Sequence, residues 1–439
     1  MENTVNRFRL SSGIWIDLYE LTMASVYFKY RSKTEASFEL FLRSNQRPFY
    51  LLLGVEEAIK HILDFRFSKE DIAYLSSLKK FDDEFLKYLK NFQFKGTVWA
   101  QEDGTVIFPE EPILRVQGSL IESQILESAL LNIMNLYLTL ATKAARVVMS
   151  ASGRKVFDFS LRRTQGQEAS LAAAKSAYVA GVESTSNLLA GKVYGIPVIG
   201  TMAHSYIMSF SREIESFKFF ADTFPENLVL LIDTYDIKTG LDNAVRIAKY
   251  LKRTKKGKLL GVRIDSGNLV ELSKYIRATL DLAGLVDTSV IASGNLDEYQ
   301  ISALISSFAP IDSFGVGTHM GTSSDMPYAD VVYKICELSN PQGKFIPVMK
   351  LSGNKSTRPF SKQVVRKYKD SIMEKDVIVF FPGTGQKNSL LKKFINKGSL
   401  VAGFKDIHAL RNFATKNIKK LPEDFKDINK KPVYPVIFD

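Results

Sequence analysis

Four short segments place charged, hydroxylated or glycine-bearing turns directly after β-forming runs. The run 156–159 ends in Phe159 and continues as Ser160-Leu161-Arg162-Arg163, an aromatic ring followed by two guanidinium groups. The run 197–200 leads into Thr201-Met202-Ala203-His204, which supplies a hydroxyl and an imidazole. The run 259–265 carries Arg263 and Asp265 two positions apart, on one face of a strand, with Ser266 next. The run 289–293 closes on the small polar turn Gly294-Asn295. Taken singly, each has a plain structural account: Arg263 and Asp265 as an ion pair, His204 as a helix cap. Taken together, strand-end polar groups of this kind are what a shared site mouth requires.

Other nucleotide-binding patterns are missing or incomplete. The chain contains no G-x-x-x-x-G-K-[ST], which argues against a P-loop. Gly315-Val316-Gly317-Thr318 with Gly321 is one residue off the dinucleotide fingerprint. Its backbone N–H groups could cradle a phosphate, or the glycines could serve steric needs alone. No His–His or His–Glu spacing marks a transition-metal site. His319 beside the glycine loop reads as solvated, and His61 and His408 read as surface residues on helices.

The elements that would position these groups change in texture along the chain. Residues 17–30 form an apolar-rich helix candidate with Asp17 placed to cap it. A strand over 35–42 that alternates as if half-buried and a helix over 54–65 follow, then short strands near 96–100, 105–108 and 113–116 and a long helical run over 122–151. From 156 onward β-runs alternate with helical stretches, including 228–233 and 312–315. That alternation implies parallel strands with helical crossovers, either a barrel or an open doubly wound sheet. Strand-like runs at 331–338 and 345–351 lead into a lysine-rich tail. The expected organisation is α/β: an irregular (β/α) barrel over 126–344, beside a second α/β domain built from 1–125 and completed by 345–439.

Composition sets the outer bounds. The 439 residues are 45% hydrophobic and 24% charged, as in ordinary globular chains, so a large core can form. One cysteine, Cys336, excludes an intramolecular disulfide framework and a four-cysteine zinc site. No run approaches roughly 18 consecutive apolar residues. The opening MENTVNRFRL has no apolar stretch behind its charges, so no secretory signal is expected and the cytoplasm is the expected address. The net charge of +12 is lysine-heavy and gathered in the last quarter and in residues 252–258. It is not interleaved with aromatics as a groove for single-stranded nucleic acid would be. Neither a nucleic-acid nor a membrane partner is expected.

Six segments in order carry a resemblance: DLYELTMA at 17–24, FSLRRTQG at 159–166, GTMAHS at 200–205, VRIDSGNL at 262–269, ASGNLDE at 292–298 and FGVGTHMGTSSD at 314–325. Together they resemble the motif set of the nicotinate phosphoribosyltransferases, and Lys350-Leu351-Ser352 with Lys355, Thr357, Pro359 and Lys362 resembles that family's next segment. Two departures stand out. The chain reads Gln167-Glu168-Ala169-Ser170 where the family often has an Asp-Gly pair, and its single cysteine cannot form the zinc knuckle of some relatives.

The resemblance implies transfer of phosphoribosyl from 5-phosphoribosyl-1-pyrophosphate to nicotinate, driven by ATP and assisted by Mg²⁺. It implies that His204 is transiently phosphorylated and that Arg263 and Asp265 bind pyrophosphate, ribose or a hydrated Mg²⁺. Tyr19, supplied by the second copy of a homodimer, and Phe159 would sandwich the pyridine ring. Arg162 and Thr201 would hold the nicotinate side. Gly294, Gly315, Gly317 and Thr318 would hold the ribose and its 5′-phosphate. Ser186 stands where nicotinamide-using relatives carry an aspartate, which favours the acid over the amide. A nicotinamide phosphoribosyltransferase is the nearest alternative, and a catalytically inert barrel is the alternative from another class.

Overall fold

The computed structural model describes residues 13–43, 46–351, 358–381 and 387–439. Ser352, Lys355 and Thr357 of the resembling segment lie outside the described residues. The chain divides into two compact units. One comprises 1–142, 328–425 and 430–439, and the other comprises 143–327 with 426–429. The division falls within the helix Glu127–Ser150 and again after Pro327.

The second unit is built on six parallel strands: β1 (Lys155–Asp158), β2 (Ser184–Thr185), β3 (Leu228–Leu231), β4 (Leu259–Ile264), β5 (Ser289–Ala292) and β6 (Ser313–Val316). Their spatial order is β2-β1-β6-β5-β4-β3, the curled sheet of an irregular α/β barrel. Near-continuous apolar sequences such as LVLL and SVIA suit strands covered on both faces. Helices Gln167–Ala180, Ile237–Thr254, Leu269–Leu282 and Glu298–Ser306 make the crossovers. Three of them begin at side-chain caps from Asp236, Asn268 and Asp297. Each cap fixes where a strand-end loop stops. The segment 197–200 is not a strand as expected: Val198 makes one parallel bridge to Thr185. Pro197 has no N–H to donate and Gly200 favours a turn, so pairing stops there. The strand Ser184–Thr185, unforeseen in the sequence, is only two residues long.

The first unit holds a seven-stranded antiparallel sheet. Glu35–Leu42 pairs on one side with Val331–Ser339 and on the other with Pro112–Ser119. Because it is covered on both faces, its burial does not alternate, unlike the half-buried pattern expected. Lys392–Asn396 pairs with Thr97–Ala100, which places part of the lysine-rich tail in this sheet. Arg366 is almost fully buried and bonds Asp376 at 2.9 and 2.6 Å, so its charge is matched where water is excluded. His61 is buried and not at the surface, packed edge-on to Trp15 and Phe65. His408 is exposed. Among the described residues one helical run, Leu120–Ser150, is long and apolar enough to cross a membrane, but 67% of its apolar window is buried, as in a core helix.

The helix Leu18–Tyr30 begins after Asp17, yet Asp17 does not cap it. Its carboxylate instead accepts from Ser128 Oγ at 2.8 Å, and Ser128 N donates to Glu20 Oε1 at 2.9 Å. Burial lifts the Glu20 carboxyl to about 7, against the hydrogen bonds from Ser128. A carboxyl raised in the folded state favours folding fully below its ordinary value, and that contribution is lost as pH rises from 4.5 toward about 7. Glu20→Gln removes the titration. The stability of the variant relative to the natural chain should therefore increase between pH 5 and pH 8 in urea denaturation, and a constant difference would refute the assignment.

Candidate active site

The site forms where the second unit's strands end. Arg263, next to last in β4, is half-buried, and its Nη1 donates to Thr201 Oγ1 at 2.7 Å and to the Met202 carbonyl at 3.3 Å. It therefore holds the turn that carries His204. Its Nη2 lies 3.8 Å from Asp265 Oδ2, and the guanidinium carbon stands 6.0 Å from the Phe159 ring centre. Burial pulls the Arg263 pKa down, Asp265 and Asp233 oppose the shift, and the like charge of Arg162 adds to it. An arginine starts so far above neutrality that it remains a cation.

His204 begins the short helix His204–Met208 and caps nothing. Its Nδ1 is 3.0 Å from Thr234 Oγ1 and its Nε2 is 3.3 Å from Asp265 Oδ1. A carboxylate at 265 can only accept, so this geometry sets the Nε2–H tautomer and leaves the lone pair on Nδ1, beside the Thr234 hydroxyl. The imidazole at 204 and the guanidinium at 263 thus share one carboxylate.

Asp233, which ends the run 228–233, and Thr234, which follows it, were not singled out from the sequence. The signal was the same one used elsewhere, polar residues closing a β-run. Asp233 Oδ2 accepts from the Asp265 N–H at 2.8 Å and from Ser266 Oγ at 2.9 Å, so it orients the Asp265 turn. Its other oxygen is buried with no hydrogen-bond partner among the described residues. Ligand atoms of His204, Asp233 and Asp265 all lie within 4.8 Å of one another.

The glycines have clear steric reasons. Gly315 lies inside β6, and a Cβ there would fall 2.4 Å from the Phe159 ring, so the ring lies against bare backbone. Gly294 has φ +90°, and a Cβ would sit 1.9 Å from the Asp265 carbonyl. At Gly317 a Cβ would come 3.2 Å from the Phe159 carbonyl. Thr318 opens the five-residue helix Thr318–Thr322. His319 Nδ1 bonds Ser324 Oγ at 2.6 Å.

Remaining site candidates are distributed as follows. Phe159 is half-buried at the end of β1, where its N–H donates to Val316 O at 2.8 Å. Arg162 is exposed on the 3₁₀ turn Leu161–Arg163. Ser186 is half-buried just past β2, its N–H donating to the Asp158 carbonyl at 2.8 Å. Asp158 is buried beneath and accepts from Thr185 Oγ1 at 2.7 Å, which ties β1 to β2. Tyr19 belongs to the first unit, on the helix Leu18–Tyr30, with 46% of its surface exposed. Burial and the neighbouring Glu127 raise its phenol pKa.

A curled parallel sheet with cationic, imidazole and carboxylate side chains at its carboxyl edge defines a class, that of α/β-barrel enzymes acting at the strand ends. Comparison makes the class specific. Residues 154–383 match the nicotinate phosphoribosyltransferase (NAPRTase) family, and residues 14–135 match the NAPRTase N-terminal domain. The chain belongs to the nicotinate phosphoribosyltransferase family and is an enzyme of that type. It is 38% identical over 419 residues to nicotinate phosphoribosyltransferase pncB2 of Mycobacterium tuberculosis, covering 95% of this chain and 89% of the relative. It is 34% identical over 457 residues to nicotinate phosphoribosyltransferase of Bacillus subtilis, covering 97% and 92%. The human nicotinic acid phosphoribosyltransferase structure superposes with a TM-score of 0.84 at 25% identity, covering 96% of this chain and 97% of that one.

Proposed function

We propose that this enzyme joins nicotinate to the phosphoribosyl group of 5-phosphoribosyl-1-pyrophosphate, giving nicotinate mononucleotide and pyrophosphate, and that ATP drives the reaction through a phosphohistidine at His204. The observation that carries the reading is Asp265 held between the His204 imidazole at 3.3 Å and the Arg263 guanidinium at 3.8 Å. A nucleophile and an anion-binding cation share one anchor.

The pyridine nitrogen is already a nucleophile, so the transfer asks little acid–base work of the protein. It asks for stabilisation of developing charge. Arg263 would face the pyrophosphate oxygens, while Gly294, Gly315, Gly317 and Thr318 shape the space for the ribose 5′-phosphate. Phe159 offers a ring face for the pyridine. Arg162, with a planar fork matched to a carboxylate, and Thr201 serve the nicotinate side. Ser186 presents no negative charge to that carboxylate, which favours nicotinate over nicotinamide.

For coupling, the lone pair of the His204 imidazole attacks the γ-phosphorus of ATP. A nitrogen–phosphorus bond forms, the bond to the ADP oxygen breaks, and Asp265 shares the ring proton that balances the imidazolium. Water later releases phosphate and restores the free imidazole. The residues fit Mg²⁺: Asp233 has an unpartnered buried oxygen and stands with Asp265, and oxygen donors are what this ion prefers. Asp233 and Asp265 would hold it, and bound there it neutralises charge on the departing pyrophosphate. The reading includes a cytoplasmic homodimer in which the second copy's Tyr19 completes the pyridine sandwich. Initial rates with nicotinate and with nicotinamide at equal phosphoribosyl pyrophosphate test the reaction. Product mass should match nicotinate mononucleotide, and a faster rate with the amide would favour the alternative.

A further inference from the structure

Two of the strand-end turns are tied together from behind by one buried amine. Lys143, in the helix Glu127–Ser150, has a side chain 1% exposed. Its Nζ makes a close contact with Glu298 Oε2 and lies 2.8 Å from Asp325 Oδ1. Three residues on, and so on the same helix face, Arg146 Nε reaches the other Glu298 oxygen at 3.0 Å. The Arg146 fork also donates to the Tyr299 hydroxyl at 3.3 Å and to the Ile428 carbonyl at 3.2 Å. Two cations therefore meet the buried carboxylate of Glu298, and Lys143 also reaches the partly exposed carboxylate of Asp325.

The position of these carboxylates gives the cluster its meaning. Glu298 is completely buried and opens the helix that follows the Gly294 turn after β5. Asp325 lies just beyond the helix Thr318–Thr322, in the segment that follows β6. Backbone pairing fixes β5 beside β6 but does not fix the loops beyond them. Those loops pass through left-handed residues, Gly294 and Asn295 after β5 and Ser323 after β6. Lys143 bonds the far end of each.

We propose that Lys143 is a positioning residue for phosphoribosyl transfer, its ammonium fixing the Gly294 turn against the Gly317–Thr318 loop so that the two form a single phosphate-binding surface. It touches no substrate. The proposal rests on the reading above that these loops hold the ribose phosphate. Packing alone would not require charges here, since a whole buried ion cluster can often be replaced by well-packed apolar side chains without loss of stability, whereas removing Lys143 alone leaves its carboxylate partners behind. What an apolar side chain lacks is a bond to Asp325.

The test compares Lys143→Met, Lys143→Arg and Asp325→Asn in the full-length enzyme. Asp325→Asn weakens the half-exposed end of the bridge and leaves the Lys143–Glu298 contact in place, so it serves even if Lys143→Met fails to fold. The expected result is a KM for phosphoribosyl pyrophosphate raised about tenfold in Lys143→Met and Asp325→Asn, with the KM for nicotinate changed less than about twofold and Lys143→Arg restoring most of the loss. Amide hydrogen exchange should rise over residues 294–298 and 317–325 and not across the rest of the unit. Equal rises in both KM values, or faster exchange throughout the unit, would overturn the proposal by showing a purely structural role. The exchange measurement needs no turnover, so it reads the positioning claim even if the natural enzyme were to use neither substrate, an outcome that would count against the proposed reaction alone.

Discussion

The His204→Asn enzyme should make nicotinate mononucleotide at one rate, with or without ATP, and that rate should equal the natural enzyme's without ATP. Asparagine keeps polar atoms for Thr234 and Asp265, so the turn after residue 200 need not move. It removes the ring lone pair, and an amide nitrogen does not attack phosphorus. The ATP-stimulated part of the rate should fall by roughly 10²–10⁴-fold, the span of a lost nucleophile or acid–base group. Initial rates at saturating nicotinate, with ADP release followed in parallel, measure both halves of the claim. ATP stimulation surviving in the variant would remove His204 from the mechanism.

Arg263→Ala should lower kcat/KM by roughly 10²–10³-fold, as loss of a preorganised charge-stabilising donor does. The effect has two physical sources. The cation proposed to face the pyrophosphate disappears, and the bonds from Nη1 to Thr201 and Met202 disappear with it, loosening the turn that presents His204. Arg263→Lys separates them. Lysine keeps the charge but not the rigid fork, so it should recover part of the phosphoribosyl pyrophosphate binding and little of the His204 alignment. ADP formation in the absence of nicotinate reports that alignment. A kcat/KM within about threefold of the natural value would place the anion site elsewhere.

What could be read from the sequence depended on how local each signal was. Strand-end pairs such as Arg263 and Asp265 were legible because a two-residue spacing fixes a common face whatever the tertiary structure. The parallel sheet followed from alternation of apolar runs with helical stretches. Its spatial order, with β6 between β1 and β5, is set by long-range packing and leaves no mark in any single segment. The strand Ser184–Thr185 is too short to show a period. Pro197-Val198-Ile199-Gly200 has β-forming residues but only one position that pairs.

The site residues show the same division. Asp233 ends a β-run already recognised, yet its importance comes from accepting the Asp265 N–H across the sheet, a contact 32 positions away in the chain. Lys143 has no local signal at all. A lysine in a long helix reads as solvated surface until Glu298 and Asp325, 155 and 182 positions on, close over it. His61 misled in the same direction, since its burial against Trp15 and Phe65 depends on packing that helical spacing alone does not reveal.

The central claim is that the strand ends form one anion-handling centre in which the imidazole at 204 receives phosphate from ATP. Incubating the enzyme with γ-labelled ATP, digesting it at alkaline pH and sequencing the labelled peptide tests that claim most directly. The expected result is a single acid-labile, base-stable phosphate on the peptide containing His204, discharged on adding nicotinate and phosphoribosyl pyrophosphate. Label on another residue, or stable protein phosphate that the two substrates do not discharge, would contradict it.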